Sequence, residues 1–267
     1  MDLDPSAARA GVGLLAYNEI DSTNAEALRL ARAGETGPLW ITARTQSAGR
    51  GRRGRSWISE AGNLYATLLL TDPSPSDVAP QLSFVAALAL HEAVAARAPD
   101  LKPRLKLKWP NDLLCDKLKV AGILIEGEGM PLLVAIGFGV NCVHHPEDGD
   151  YPATDLRASK ATVSAESLFY ALSATMMGRL AQWDRGRGFA VIRQDWLAHA
   201  SGIGGDIRVQ LSDRQLFGRF EALDGTGRLI LRLPDNSVQT ISAGDLFPLA
   251  RVSLGVTVEA TDDDAKQ

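Results

Sequence analysis

Thr42-Ala-Arg-Thr-Gln-Ser-Ala-Gly-Arg-Gly-Arg-Arg-Gly-Arg-Ser-Trp57 is the stretch on which the reading of this chain turns. It joins two apolar runs of strand character, Leu39–Ala43 and Leu64–Leu70. Gly49, Gly51 and Gly54 spell G-x-G-x-x-G, a pattern that binds dinucleotides where a strand turns into a helix and an acidic residue follows about 20 positions on. Asp72 meets the second condition. The first fails, because the nine residues between Gly54 and Leu64 hold Gly62, Asn63 and strand-like Trp57-Ile58 and leave no room for a helix. A nucleic-acid patch is the next reading of Arg50, Arg52, Arg53 and Arg55, but the chain carries a net charge of −4 and no aromatic residues interleave the arginines. What remains is an anion clamp. Glycines let the loop reorganise while guanidinium forks grip phosphate or carboxylate oxygens. Four like charges repel, so such a loop is expected to be disordered when empty and to order on a nucleotide or acyl-adenylate.

Outward from the loop, 267 residues suggest one large domain and a small one. An apolar content of 45% with 22% charged residues is that of a globular protein. Cys115 and Cys142 are the only cysteines, with four histidines and no C-x-x-C, which excludes a disulfide framework and argues against structural zinc. Both read as inert core thiols. The acidic start has no secretory pattern, and the run Leu82–Val94, interrupted by His91 and Glu92, reads as too short to span a bilayer. The cytoplasm is therefore expected.

Residues 1–12 read as a flexible start. Asp21-Ser-Thr-Asn-Ala-Glu26 reads as a helix start with Thr23 and Glu26 as a capping box, and Gly34 as its stop. Ser22, Thr23 and Asn24 either cap that helix or offer hydroxyl and amide groups to a polar ligand. A helix is predicted over Gln81–Arg97. In Leu105-Lys-Leu-Lys-Trp109 strict alternation puts the leucines and Trp109 on one face and Lys106 and Lys108 on the other. Pro110-Asn-Asp112 breaks that strand, which resumes over Leu113–Cys115 before an Asp116-Lys117 turn into Leu118–Glu126. Leu132–Asn141 is a further strand, in which Gly137 and Gly139 mark a place of close approach. Helices are predicted about Ser164–Arg185 and Phe189–Ala200. Short alternating strands over 207–241 then suggest a small β-barrel or sandwich, and the acidic end reads as a disordered tail.

Five motifs occur in order over residues 17–141: Asp21-Ser-Thr-Asn24, Gln46-x-x-Gly-Arg-Gly-Arg-Arg-Gly54, Lys108-Trp-Pro-Asn-Asp112, Lys119-x-Ala-Gly-Ile-Leu-Ile-Glu126 and Ile136-Gly-x-Gly-x-Asn141. Together they resemble the biotin protein ligases, in the shorter class without an amino-terminal DNA-binding helix-turn-helix. The resemblance implies an α+β fold: a class II synthetase-like mixed sheet flanked by helices over 13–201, an SH3-like β-barrel over 202–252, and a disordered tail over 253–267. It implies ATP-dependent ligation of biotin, through biotinyl-5′-AMP, to a lysine of the biotin carboxyl carrier domain of acetyl-CoA carboxylase or a related carboxylase. Mg²⁺ would enter on the nucleotide phosphates; no DNA or membrane partner is implied, and a homodimer is allowed.

The same resemblance assigns the residues. Ser22, Thr23, Asn24, Gln46, Arg50, Gly51, Arg52, Lys119 and Gly137 would bind biotin. Gly49, Arg50, Arg52, Arg53, Arg55, Trp57, Lys108, Asn111, Lys119 and Asn141 would bind ATP and the adenylate, with Asn141 at the adenine edge. Lys119 and Arg52 would be catalytic, joined by Asp112 and Lys108. A lipoate or octanoate protein ligase of the same superfamily is the enzymatic rival, and a non-catalytic biotin-sensing regulator the other.

Overall fold

The computed structural model describes residues 1–147 and 151–248. Seven strands form the main sheet: β1 (Gly13–Ile20), β2 (Leu39–Gln46), β3 (Leu64–Thr71), β4 (Leu105–Lys108), β5 (Asp112–Cys115), β6 (Leu118–Glu128) and β7 (Leu133–Val140). Their order is β1-β2-β3-β7-β6-β5-β4. Only β1 and β2 run parallel; every other neighbour is antiparallel. The expected hairpin turn between β5 and β6 is present, with Asp116 and Lys117 at φ 49° and 69°.

Strand alternation divides the sheet between core and site. On β3 and β7 the even positions Leu64, Ala66, Leu68, Val134, Ile136 and Phe138 enter the main core. That core is covered by α3 (Leu82–Arg97), α4 (Ala165–Trp183) and α5 (Phe189–Ala198). The odd positions face the other way. At one end Leu39, Ile41, Leu69 and Ala135 are covered by Ala27, Leu28 and Ala31 of α2 (Thr23–Arg32). Beyond the start of α2, the same sheet face carries Thr67, Gly137 and Gly139, and there the functional cleft opens.

Two expectations for the amino-terminal and apolar segments change. Residues 5–9 form a short helix α1 (Pro5–Arg9), capped by the Asp4 side chain, and Ala7 is fully buried. The Asp4 N–H donates to Ser173 Oγ at 2.9 Å, which ties this start to α4. With the turn before it, α3 forms a 19-residue helical unit, Ala79–Arg97, long and apolar enough to cross a bilayer by length and composition, whereas Leu82–Val94 read as too short. Its apolar faces are spent on the core instead: 67% of the window is buried.

The carboxyl-terminal unit is an antiparallel sheet of β8 (Asp206–Gln210), β9 (Gln215–Leu223), β10 (Leu229–Arg232), β11 (Val238–Ile241) and β12 (Asp245–Pro248), in the order β11-β10-β9-β8-β12. The expected closed barrel is not formed by the described residues: β11 and β12 remain edges. Both are only four residues long, and Pro248 has no N–H with which to extend a ladder. This sheet shares the main core through Ile207, Phe220 and Leu229, and Trp109 Nε1–H donates to the Gly227 carbonyl at 3.2 Å across the junction. The tail assigned to 253–267 lies outside the described residues.

Candidate active site

A cavity of about 460 Å³ lies over the sheet face that carries Gly137 and Gly139 of β7 and Gly122 and Leu124 of β6, beneath the arginine loop. This is an ordinary size for a small-molecule site. Its two ends differ chemically.

The neutral end is built on the first turn of α2. Ser22, rather than Thr23, is the N-cap: the Ala25 N–H donates to Ser22 Oγ at 3.4 Å. Glu26 does not close a capping box; it accepts from Tyr17 and Arg29. Released from capping, Thr23 turns inward, and its N–H and Oγ1 lie 2.8 and 3.0 Å from Gln46 Oε1. Gln46 Nε2 donates to Ser59 Oγ at 2.9 Å. Asn24 Nδ2 donates to the Leu124 carbonyl and to Glu126, which also receives Arg50 at 3.1 Å. Capping and ligand-facing roles thus fall to different residues of Ser22-Thr23-Asn24, all three of which are buried.

The two strand glycines make room for side chains of the site. A Cβ on Gly137 would lie 2.1 Å from Asn24 Oδ1, and one on Gly139 2.5 Å from the Trp57 ring. The Trp57 ring therefore lies flush on β7, and Lys119 Nζ is 5.4 Å from its centroid. The buried Trp57 Nε1–H has no hydrogen-bond partner among the described residues.

The other end is cationic. Asp112 Oδ1 pairs with Lys119 Nζ at 2.7 Å and Oδ2 with Lys108 Nζ at 3.2 Å. Burial pushes the Asp112 carboxyl up, but the two ammonium groups outweigh it and the net shift is downward. Burial lowers the Lys108 ammonium below the ordinary lysine range, despite Asp112. Alternation puts Lys108 on the same strand face as Lys106. Lys106 is exposed, whereas Lys108 is 5% exposed and lies 3.8 Å from the centroid of Tyr151. The Asp112 charge and the Tyr151 ring together hold it inside.

The arginine loop folds over the cleft with its backbone closed on itself. Its cations meet carboxylates of the chain itself: Arg50 meets Glu126, and Arg52, Arg53 and Arg55 converge on Asp245 of β12 at 3.3, 3.5 and 3.1 Å. Arg52 also donates to Asn111 Oδ1 and to the Gly244 carbonyl. These internal counter-charges offset the mutual repulsion of the loop's cations. The Gly51 N–H, assigned to biotin, donates to the Arg55 carbonyl at 2.7 Å, closing the loop on itself. Trp57 N–H likewise donates to the Gly49 carbonyl at 2.9 Å. Asn141 lines the cavity, but its Nδ2 donates to the Thr154 carbonyl at 3.1 Å and so pins the segment after β7.

All the residues assigned from the sequence lie in or directly beside this one cavity, Gly49 and Arg53 through the loop. Sequence reasoning missed Tyr151, Asp245 and Phe247, which line it, and Thr67, which lies behind it. Asp245 and Phe247 alternate on β12 and point into the cleft, while Leu246 between them is buried in the carboxyl-terminal sheet. Among the described residues, five basic and two acidic side chains line the cavity, in a chain of net charge −4. Among the described residues no group of three His, Cys, Asp or Glu could hold a metal, and Asp112 and Asp245 are both engaged by cations.

Comparison with known proteins agrees with this architecture. Residues 18–141 match the Biotin/lipoate A/B protein ligase family, and residues 202–247 match the Biotin protein ligase C terminal domain. The chain is 43% identical to the biotin–[acetyl-CoA-carboxylase] ligase of Paracoccus denitrificans, over 85% of this chain and 97% of that protein. It is 33% identical to the enzyme of the same name from Mycobacterium tuberculosis, over 85% and 86% of the two chains. In fold it resembles the biotin protein ligase of Aquifex aeolicus solved with biotin and ATP, with a TM-score of 0.74, 24% identity and coverage of 88% of this chain and 97% of that one. By fold, by both matched domains and by these relatives, the chain belongs to the biotin protein ligase family.

Proposed function

We propose that this chain activates biotin with ATP and transfers it to a lysine of a biotin carboxyl carrier domain, as in acetyl-CoA carboxylase. The two-ended cavity carries this reading: a neutral donor–acceptor floor at Ser22, Thr23, Asn24 and Gln46, and a cationic end at Lys108, Lys119 and Arg52. Biotin has that polarity, a neutral cyclic urea at one end and a carboxylate at the other. Lys119 lies where the carboxylate would meet the α-phosphate, so its charge offsets two anions brought together. The carboxylate oxygen attacks the α-phosphorus and pyrophosphate leaves. The carrier lysine amine then attacks the acyl carbon, and AMP leaves as an amide forms. Mg²⁺, brought by the ATP phosphates, would supply further charge neutralisation. Arg52 and its neighbours close over the adenylate and keep water from the anhydride. Trp57 and Asn141 border the adenylate, with Asn141 at the adenine edge only if its bond to Thr154 is shared or exchanged.

The cations line an internal cleft of an acidic chain, which supports a small anionic substrate over DNA, and we place the reaction in the cytoplasm. ATP–pyrophosphate exchange with biotin, lipoate and octanoate, followed by labelling of an apo-carrier domain, tests the assignment. Biotin alone should support exchange, and label should appear on one carrier lysine. Exchange with lipoate only would overturn it, as would a DNA mobility shift with no carrier labelling.

A further inference from the structure

Behind the neutral floor lies Thr67, fully buried in the centre of β3 and directly opposite Gly137 of β7. Its Oγ1 is 2.8 Å from Thr23 Oγ1 and 2.7 Å from Asn24 Oδ1. A hydroxyl has one proton, so it cannot donate to both. Asn24 settles the assignment. Its Nδ2 is committed to the Leu124 carbonyl and Glu126 Oε2, at 3.3 and 2.9 Å, which turns Oδ1 toward Thr67 as a pure acceptor. If Thr67 donates to Thr23, Asn24 Oδ1 loses its close donor in a buried place, an expensive arrangement. If Thr67 donates to Asn24, the Thr67 oxygen is left to accept from Thr23 Oγ1–H. Gln46 Oε1 then still receives the Thr23 backbone N–H at 2.8 Å. Gln46 Oε1 also lies 3.0 Å from Thr23 Oγ1, so the Thr23 proton turns back into the protein, to Thr67 or to Gln46, and Asn24 Oδ1 keeps its close donor only when Thr67 donates to it.

We propose that Thr67 is a specificity-determining positioning residue: by giving its proton to Asn24 rather than to Thr23, it leaves the Thr23 hydroxyl to turn its own proton back to Thr67 or Gln46 and to present lone pairs to the ligand. A hydroxyl fixed as an acceptor selects a head group that brings an N–H, as a cyclic urea does and a dithiolane ring does not. Sites built around one polar partner discriminate strongly against analogues that lack it. The opposition of Thr67 and Gly137 adds the geometry, since Asn24 is seated in the space that Gly137 leaves open, within reach of the Thr67 hydroxyl. The proposal rests on the reading of this end as the urea-binding end.

The test is Thr67→Val, which keeps the side-chain shape and removes the hydroxyl, beside Thr67→Ser, which keeps the hydroxyl. Biotin and ATP KM values are read from ATP–pyrophosphate exchange, and biotin and lipoate binding from calorimetry. Wild-type protein that fails to bind biotin would sink the functional reading itself. With wild-type biotin binding established, Thr67→Val should raise the biotin KM by about tenfold or more. It should leave the ATP KM within twofold, narrow the preference for biotin over lipoate, and be rescued by Thr67→Ser. An unchanged biotin KM, a parallel rise in the ATP KM, or an unchanged biotin-to-lipoate preference would each overturn the role of Thr67.

Discussion

Asp112 holds two lysines with one carboxylate, and the arrangement leaves the cationic end of the cleft one positive charge in excess before Arg52 is considered. Removing Lys119 would bring the pair to neutrality and withdraw the ammonium nearest Trp57. Lys119→Ala should therefore cut adenylate formation by on the order of 10²-fold in ATP–pyrophosphate exchange. Near-normal exchange would remove Lys119 from the reaction. At this scale the sequence was most readable where a residue sits inside a contiguous motif, as Lys119, Gln46 and Asn111 do. It was silent on Thr67 and Tyr151. Thr67 is one threonine in an apolar strand, and only the fold sets it against Thr23, 44 positions away in the chain. Lys108 was legible as a site residue but not as a buried one, because alternation reports which face a side chain takes and not what covers that face.

Among the elements, buried strands and long helices were legible because their apolar patterns are continuous, as in β3 and α3. The edge strand β1 was not. Leu15, Ala16, Asn18 and Glu19 are exposed on it, so no period of two survives. β12, Asp245-Leu-Phe-Pro248, was missed because only Leu246 is buried in it and a proline ends it. The helix α2 was placed correctly, but its cap was shifted by one residue, since Ser22 and Thr23 are equally good caps by type. Helix α3 carries a titratable feature unconnected with the site. His91 lies against His199, with ring centroids 4.1 Å apart, and burial, aided by His199 and the nearby Lys102, Lys106 and Arg179, lowers its pKa to about 4. Unfolded, His91 takes a proton near pH 6.5; folded, it resists until about 4. Its contribution is intact above pH 6.5 and is lost as the pH falls toward 4, by on the order of 3 kcal/mol. Denaturant titrations at pH 7 and pH 4.5 should show a smaller loss of stability in His91→Gln than in the wild type. Equal losses would show that His91 is not the group responsible.

For the whole molecule, the decisive feature is that the two units meet over the cleft. The carboxyl-terminal sheet contributes Asp245 beneath three arginines and Phe247 5.6 Å from Lys108 Nζ. Nothing in the composition of residues 202–248 announces this, because the contact joins positions about 190 apart and depends on how the two sheets share a core. Asp245→Asn should keep the shape and loosen the hold on the loop. A loss of about 1–2 kcal/mol would raise its open population roughly five- to thirtyfold. Trypsin should cut after Arg52, Arg53 or Arg55 correspondingly faster, and more adenylate should escape to label unrelated lysines. Cleavage and escape at wild-type rates would show that the loop is held by other contacts. The position of β12 in the chain also sets an order of events during synthesis. Every other lining residue described, from Ser22 to Ala153, leaves the ribosome before Asp245 and Phe247 do. A nascent chain can thus assemble the floor of the site while its ceiling is still untranslated, and the cleft is completed only once β12 has emerged.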